Sequence, residues 1–169
     1  ISQISDGGYM ITGESGSVDG DVTGNHGAYD LWLVRLDAAG NLVWQKCLGG
    51  DAEDGGCSVK QTADGGFISL GFTFSNNGDV SGNHGSSDLW VAKLTSAGNI
   101  SWQTCYGDVY MDLARCIEQT SDLGYVFSGS LVAVGGMGTA GSDGWVVKTD
   151  STGAVEWQQN LGGFGEEEL

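Results

Sequence analysis

The chain has 169 residues and a mass of 17.5 kDa, enough for one domain with a buried core. Its 22 acidic and 6 basic residues leave a formal charge of −16, which phosphate backbones and anionic membranes repel, so nucleic-acid binding is excluded. Six Trp and 40% hydrophobic residues exclude compositional disorder, no apolar run nears the ~20 residues of a membrane-spanning helix, and 31 Gly with no Pro call for many tight turns.

The chain consists of three copies of one unit. Gln3-Ile4-Ser5-Asp6-Gly7-Gly8-Tyr9 recurs at Gln61–Phe67 and again at Gln119–Tyr125, each time 58 residues on. Asp30–Arg35 recurs at Asp88–Lys93, 58 on, and at Asp143–Lys148, a further 55 on. All six Trp fall in two registers, Trp32, Trp90, Trp145 and Trp44, Trp102, Trp157, always 12 apart within a copy. The second copy predicts four short strands in order. Ser58–Thr62 leads through the turn Ala63-Asp64-Gly65-Gly66 into Phe67–Thr73. A polar loop, Phe74–Ser87, precedes the apolar strand Leu89–Leu94. The turn Thr95–Asn99 then reverses into Ile100–Cys105. No helical period of useful length interrupts this pattern. Four antiparallel strands per repeat of 50–60 residues make an all-β chain of β-propeller blades, with a flat solenoid as the alternative. The blades divide at 1–50, 51–107 and 108–163, followed by an acidic tail at 164–169.

This repeat resembles those of β-propellers in secreted and cell-surface bacterial proteins, notably large exported Bacteroidetes-type proteins. The segments that carry the likeness are Gln61–Phe67, Gly78–Gly85, Asp88–Leu94 and Gly98–Gln103, and it spans essentially the whole chain. Asp37–Trp44 is also similar to the turn-plus-Trp element of quinoprotein-type propellers. The third copy departs from the pattern, with Leu123 in place of a Gly and no Gly-Asp-Val-Ser-Gly-Asn-His-Gly stretch. Propellers run typically from four to eight blades, so three do not close a ring. Either further blades of a longer chain complete it, or two copies pair into a six-bladed ring.

Four sets of residues are candidates for function. The first is the long loop. Asp19, Asp21, Thr23, Asn25 and Asp30 stand at positions 1, 3, 5, 7 and 12 of a twelve-residue stretch, with Gly24 at position 6, which are the offsets of an EF-hand-type calcium loop. Asn77, Asp79, Ser81, Asn83 and Asp88 repeat the set. The competing reading is a turn-rich loop in which Asp and Asn bond their own backbone. His26 and His84 occupy equivalent loop positions, with no neighbouring Cys or His to complete a zinc set.

The second set is the cysteines. Cys47–Cys57 and Cys105–Cys116 are the economical pairing of three possible ones, each clipping the connection between blades, and that pairing implies an oxidising compartment. Four buried free thiols are the alternative. The third set, the Trp registers, is expected to pack blade on blade. The fourth comprises Arg35, Lys93 and Lys148, which share a register in apolar strands and are expected to pair with acidic turn residues.

These readings lead to an expected function. The chain would be a non-catalytic scaffold or binding module of an exported bacterial surface protein, its rim loops meeting protein or glycan, with calcium as a candidate ligand and no membrane insertion. A lyase, glycosidase or quinoprotein-like enzyme built on a fuller propeller is the competing class.

Overall fold

The computed structural model describes residues 1–134 and 140–163; the acidic tail expected at 164–169 lies outside the described residues. The described chain is all strand and turn, in three four-stranded antiparallel sheets, each ordered as its strands follow in sequence. Blade 1 holds β1 (Ser2–Gln3), β2 (Tyr9–Ser15), β3 (Asp30–Leu36) and β4 (Leu42–Leu48). Blade 2 holds β5 (Asp54–Gln61), β6 (Phe67–Thr73), β7 (Asp88–Leu94) and β8 (Ile100–Tyr106). Blade 3 holds β9 (Asp112–Gln119), β10 (Tyr125–Val134), β11 (Ala140–Thr149) and β12 (Val155–Leu161). This is the propeller-blade architecture that the repeat predicts, as a three-blade arc.

The expected strands fall within a residue or so of the observed ones, with one exception. β5 begins at Asp54, four residues before the Ser58 start read from composition. Gly55 and Gly56 hide the start because they have poor strand propensity, yet both pair with β6 ahead of a bulge between Gly56 and Ser58. A parallel bridge from Tyr29 to Glu53 and an Asp54 N–H to Tyr29 carbonyl bond of 2.7 Å hold that stretch to blade 1.

The core is two apolar layers, one at each blade junction. Alternate residues along a strand point to opposite faces, so one strand feeds both layers. Ile4, Met10, Leu31, Leu33 and Leu48 of blade 1 pack with Val59, Phe67, Trp90, Ala92, Leu94 and Cys105 of blade 2. Ile68, Leu70, Leu89, Val91 and Tyr106, on the other face of blade 2, pack with Ile117, Tyr125, Phe127, Trp145 and Val147 of blade 3. Being between two sheets explains why β7 (Asp-Leu-Trp-Val-Ala-Lys-Leu) is buried at every position.

The two registers of Trp have different roles. Trp90 and Trp145 lie within the layers. Trp44 and Trp102 seal their rims, meeting Phe67 and Tyr125 edge-on at centroid distances of 5.9 and 5.8 Å. Each also lies over a glycine of the next blade, Gly98 or Gly153, where an added Cβ would come within 3.1 Å of the indole.

The first hairpin turn of each blade needs a left-handed residue, supplied by Gly7 and Gly65 but by Leu123 in blade 3, at φ 69°. A side chain in that region costs about 1–2 kcal/mol, and exposed Leu123 gains little packing to offset it. Leu123→Gly is therefore expected to stabilise the chain by about 1 kcal/mol, read as a melting temperature raised by about 2–4 °C. An unchanged or lower value would show that Leu123 packs more than its exposure indicates.

Candidate functional site

The long loops between β2 and β3 and between β6 and β7 are built alike, and the Trp register anchors both. Trp32 Nε1–H donates to Gln45 Oε1 at 2.9 Å, and Gln45 Nε2 donates on to Thr23 Oγ1 at 2.7 Å. Trp90, Gln103 and Ser81 repeat the relay at 2.8 and 2.6 Å. Asn25 Nδ2 donates to the Ser15 carbonyl and its Oδ1 accepts from Gly27 N; Asn83 does the same with Thr73 and Gly85. His26 and His84 close the loops, with Nδ1 at 2.7 Å from Asp30 Oδ2 and 2.6 Å from Asp88 Oδ2.

These bonds bear directly on the calcium expectation. Thr23, Asn25 and Asp30 spend side-chain oxygens on loop and strand partners, as do Ser81, Asn83 and Asp88. Asp19 and Asp21 are exposed, and Asn77 Oδ1 accepts from Asp51 N of the blade connector at 3.0 Å. Asp79 lies beside Gly49 N at 3.4 Å and His26 Nε2 at 3.9 Å. Among the described residues, no three His, Cys, Asp or Glu side chains form a metal-binding group. The EF-hand offsets thus do not bring these oxygens to one point. Without the two helices that aim such ligands inward, the same residues fold into Asx turns.

The disulfide expectation is corrected. All four cysteines are free thiols, with Cys47 and Cys105 buried and Cys57 and Cys116 exposed. The reason is strand parity. Cys47 pairs with Trp32 across β3 and β4, so it points to the Trp32 face. Cys105, on the same face of blade 2, enters the layer shared with blade 1, whereas Cys116 belongs to blade 3, with its Sγ 3.3 Å from Ser128 Oγ. Each buried thiol therefore faces away from the blade that carries its expected partner, and the disulfide argument for an oxidising compartment falls with the pairing. Burial pushes the Cys47 and Cys105 thiols up to about 11 and about 12. With an excess of an alkylating reagent at pH 8, Cys57 and Cys116 are expected to be modified in the native protein and Cys47 and Cys105 only after denaturation. Cross-linked peptides in unreduced digests would contradict this.

The basic register meets the acidic hairpin turns. Arg35 pairs with Asp6 at 2.8 Å, Lys93 with Asp64 at 2.8 Å, and Lys148 with Asp122 at 2.9 Å and Glu156 at 2.8 Å. Lys93 and Lys148 are nearly buried and also donate to the carbonyls of Leu94 and Thr149. The bond from the Lys93 ammonium, with turn-capping bonds from Thr62 and Gly66, holds the Asp64 carboxyl down at about 2, and Asp6 and Asp122 are lowered as well.

One feature went unread in the sequence. Asp30, Asp54, Asp88 and Asp112 are fully buried and meet in pairs at the two blade junctions. An added Cβ on Gly107 would collide with Asp112 Oδ2 and lie 3.1 Å from Asp88 Oδ1; one on Gly49 would collide with Asp54 Oδ2 and lie 3.2 Å from Asp30 Cγ. Asp54 accepts from Thr73, Ser75 and Gly50, whereas one oxygen each of Asp30, Asp88 and Asp112 lacks a protein donor. Burial, with the charges of Asp108 and Asp88 adding to it, pushes the Asp112 carboxyl up to about 6, and burial also raises Asp54. The recurrence of Asp54 at Asp112, 58 residues on, was the available signal.

Beside the first loop, a groove of about 360 Å³ runs between blades 1 and 2, lined by Thr23, His26, Lys46, Asp79 and Asn99 among others. A second, of about 460 Å³ between blades 2 and 3, is walled by Trp102 and Tyr125 with Asp64, Lys93 and Gln119. The fold and these surfaces define a partial β-propeller with grooves at its blade junctions. No protein-family model matches the chain, and no curated protein matches it either.

Proposed function

We propose that the chain is a non-catalytic propeller scaffold that binds protein or glycan at its loop rim, as part of an exported bacterial surface protein. The observation that carries this reading is the duplicate wiring of the two long loops. Blades 1 and 2 hold the same Trp–Gln–hydroxyl relay, Asn turn and His–Asp closure. A chemical centre needs one unequal set of groups, whereas equal, internally bonded loops make a rigid presenting surface. The groove beside His26 offers donors and acceptors suited to hydroxyl-rich or peptide ligands. Export and a bacterial source rest on the resemblance of the repeat.

The test is equilibrium binding to a panel of surface glycans and extracellular-matrix proteins. The intact chain is compared with one carrying Lys46→Ala and Asn99→Ala, both of which line that groove. Binding that falls at least tenfold at an unchanged melting temperature supports the reading, and no binding across the panel sinks it. One observation favours the enzyme class: Asp30 and Asp88 each fix a His by Nδ1, the orientation a general base requires, with His84 half exposed. Hydrolytic or eliminative turnover of a panel member, lost in His84→Ala, would establish that reading instead.

A further inference from the structure

Blade 2 is covered on both faces and the two outer blades on one each. At the Trp44 register, Trp44 and Trp102 are each covered by the following blade, but Trp157 is 51% exposed, and all of β12 is exposed with it. Val126 and Val146, the equivalents of the buried Ile68 and Val91, are only half-buried, and Leu161 is exposed. The opposite end of the arc shows the complement. Ile1 is exposed and Tyr9, Trp32 and Leu36 half-buried, although their counterparts Val59, Phe67, Trp90 and Leu94 are core, and Leu42 is exposed where its counterpart Ile100 is half-buried against that core. The space above Gly40, the counterpart of Gly98 and Gly153, is open.

The polar contacts repeat in the same way. Gln61 Oε1 accepts from Ser5 N and Gln119 Oε1 from Ala63 N, both at 2.8 Å, joining each blade to the turn before it. Gln3 already holds the pose of Gln119, its Nε2 donating to Gly7 O at 3.4 Å as Gln119 Nε2 donates to Leu123 O at 3.3 Å. Ser121, the next turn residue of this series, is exposed at the far end.

We infer that a second copy of this chain covers these faces head to tail, with Trp157 seated on Tyr9 and Gly40 of the other copy and Gln3 accepting from its Ser121 N–H. Two copies make this contact twice, and three blades from each give six, within the range of closed propellers. The occupant follows from the two junctions inside the chain: the open faces are successive members of the series that already packs there. The inference concerns assembly and does not depend on the proposed ligand binding.

Sedimentation of the 169-residue chain from micromolar concentrations upward should give a species of twice 17.5 kDa. Added salt should tighten it, because each copy carries −16. Trp157→Glu and Leu42→Glu should each weaken association by about 30-fold or more while leaving the far-ultraviolet spectrum and the fold of the monomer intact. Mixing the two variants should restore a dimer through the one contact still wild type on both sides, the signature of a head-to-tail interface. A monomer at every concentration, a dimer indifferent to both variants, or oligomers that lengthen without limit would each overturn the inference.

Discussion

Trp90→Ala is expected to destabilise the chain by about 3–5 kcal/mol, seen as a lower urea midpoint at an unchanged slope. Trp90 is 0% exposed and belongs to the apolar layer that Met10 and Leu33 of blade 1 share with Phe67 and Ala92 of its own blade. Truncation therefore opens a cavity at a blade junction, where neither sheet can collapse without losing its other contacts. It also strands Gln103 Oε1, the middle of the relay that holds Ser81 and so the second long loop. Trp157→Ala, at concentrations where the chain is monomeric, should cost less than about 1 kcal/mol, because half of that side chain already faces water. Equal losses at the two positions would refute the layered core.

Stability should pass through a maximum near pH 4–5, well below neutrality. The Asp112 carboxyl titrates at about 6 in the folded chain against 3.8 for a free carboxyl, so between these values the folded state holds the extra proton. Stability then rises as pH falls through that window, on the order of 2–3 kcal/mol, and Asp54 contributes in the same direction. The turn carboxylates work oppositely. Asp64 is held at about 2, and its contribution is present above the free-carboxyl value and lost as pH falls toward 2; Asp6 and Asp122 follow the same sense. Because these side chains are more than half exposed, solvent screens their share. Asp112→Asn should remove most of the rise between pH 7 and 4, leaving the share of Asp54, and be the more stable protein at pH 7.5, since its amide can donate to the unpartnered Asp88 Oδ1. A variant less stable than the parent at pH 7.5 would show that the paired charges are neutralised by something the native site binds.

Much of the scaffold was legible from local chemistry. Turn signals such as Asp64-Gly65-Gly66 and Thr95–Asn99 placed the hairpins, and the spacing of the Trp registers placed the strands around them. The pairing of Arg35, Lys93 and Lys148 with turn carboxylates also followed, because a cation in an apolar strand needs a partner near its own hairpin. Asp54 was hidden behind two glycines whose poor strand propensity conceals that they pair with the next strand. The loop oxygens read as ligands because spacing along the chain does not say which way a side chain turns once Asn25 and Asn83 have closed their own turns.

By its sequence alone, then, this protein is a threefold repeat of four-stranded antiparallel units, since turns, strand propensity and repeat length act within a few residues or at a fixed step along the chain. Tertiary structure alone decided which strand face meets which blade. Pleat parity placed Cys105 against blade 1 and away from Cys116, while the stacking of blade on blade brought Asp88 and Asp112 together at one junction and covered Trp102 but not Trp157. Each outcome depends on how one sheet stacks on the next, a contact between residues far apart in the chain whose phase no local pattern carries.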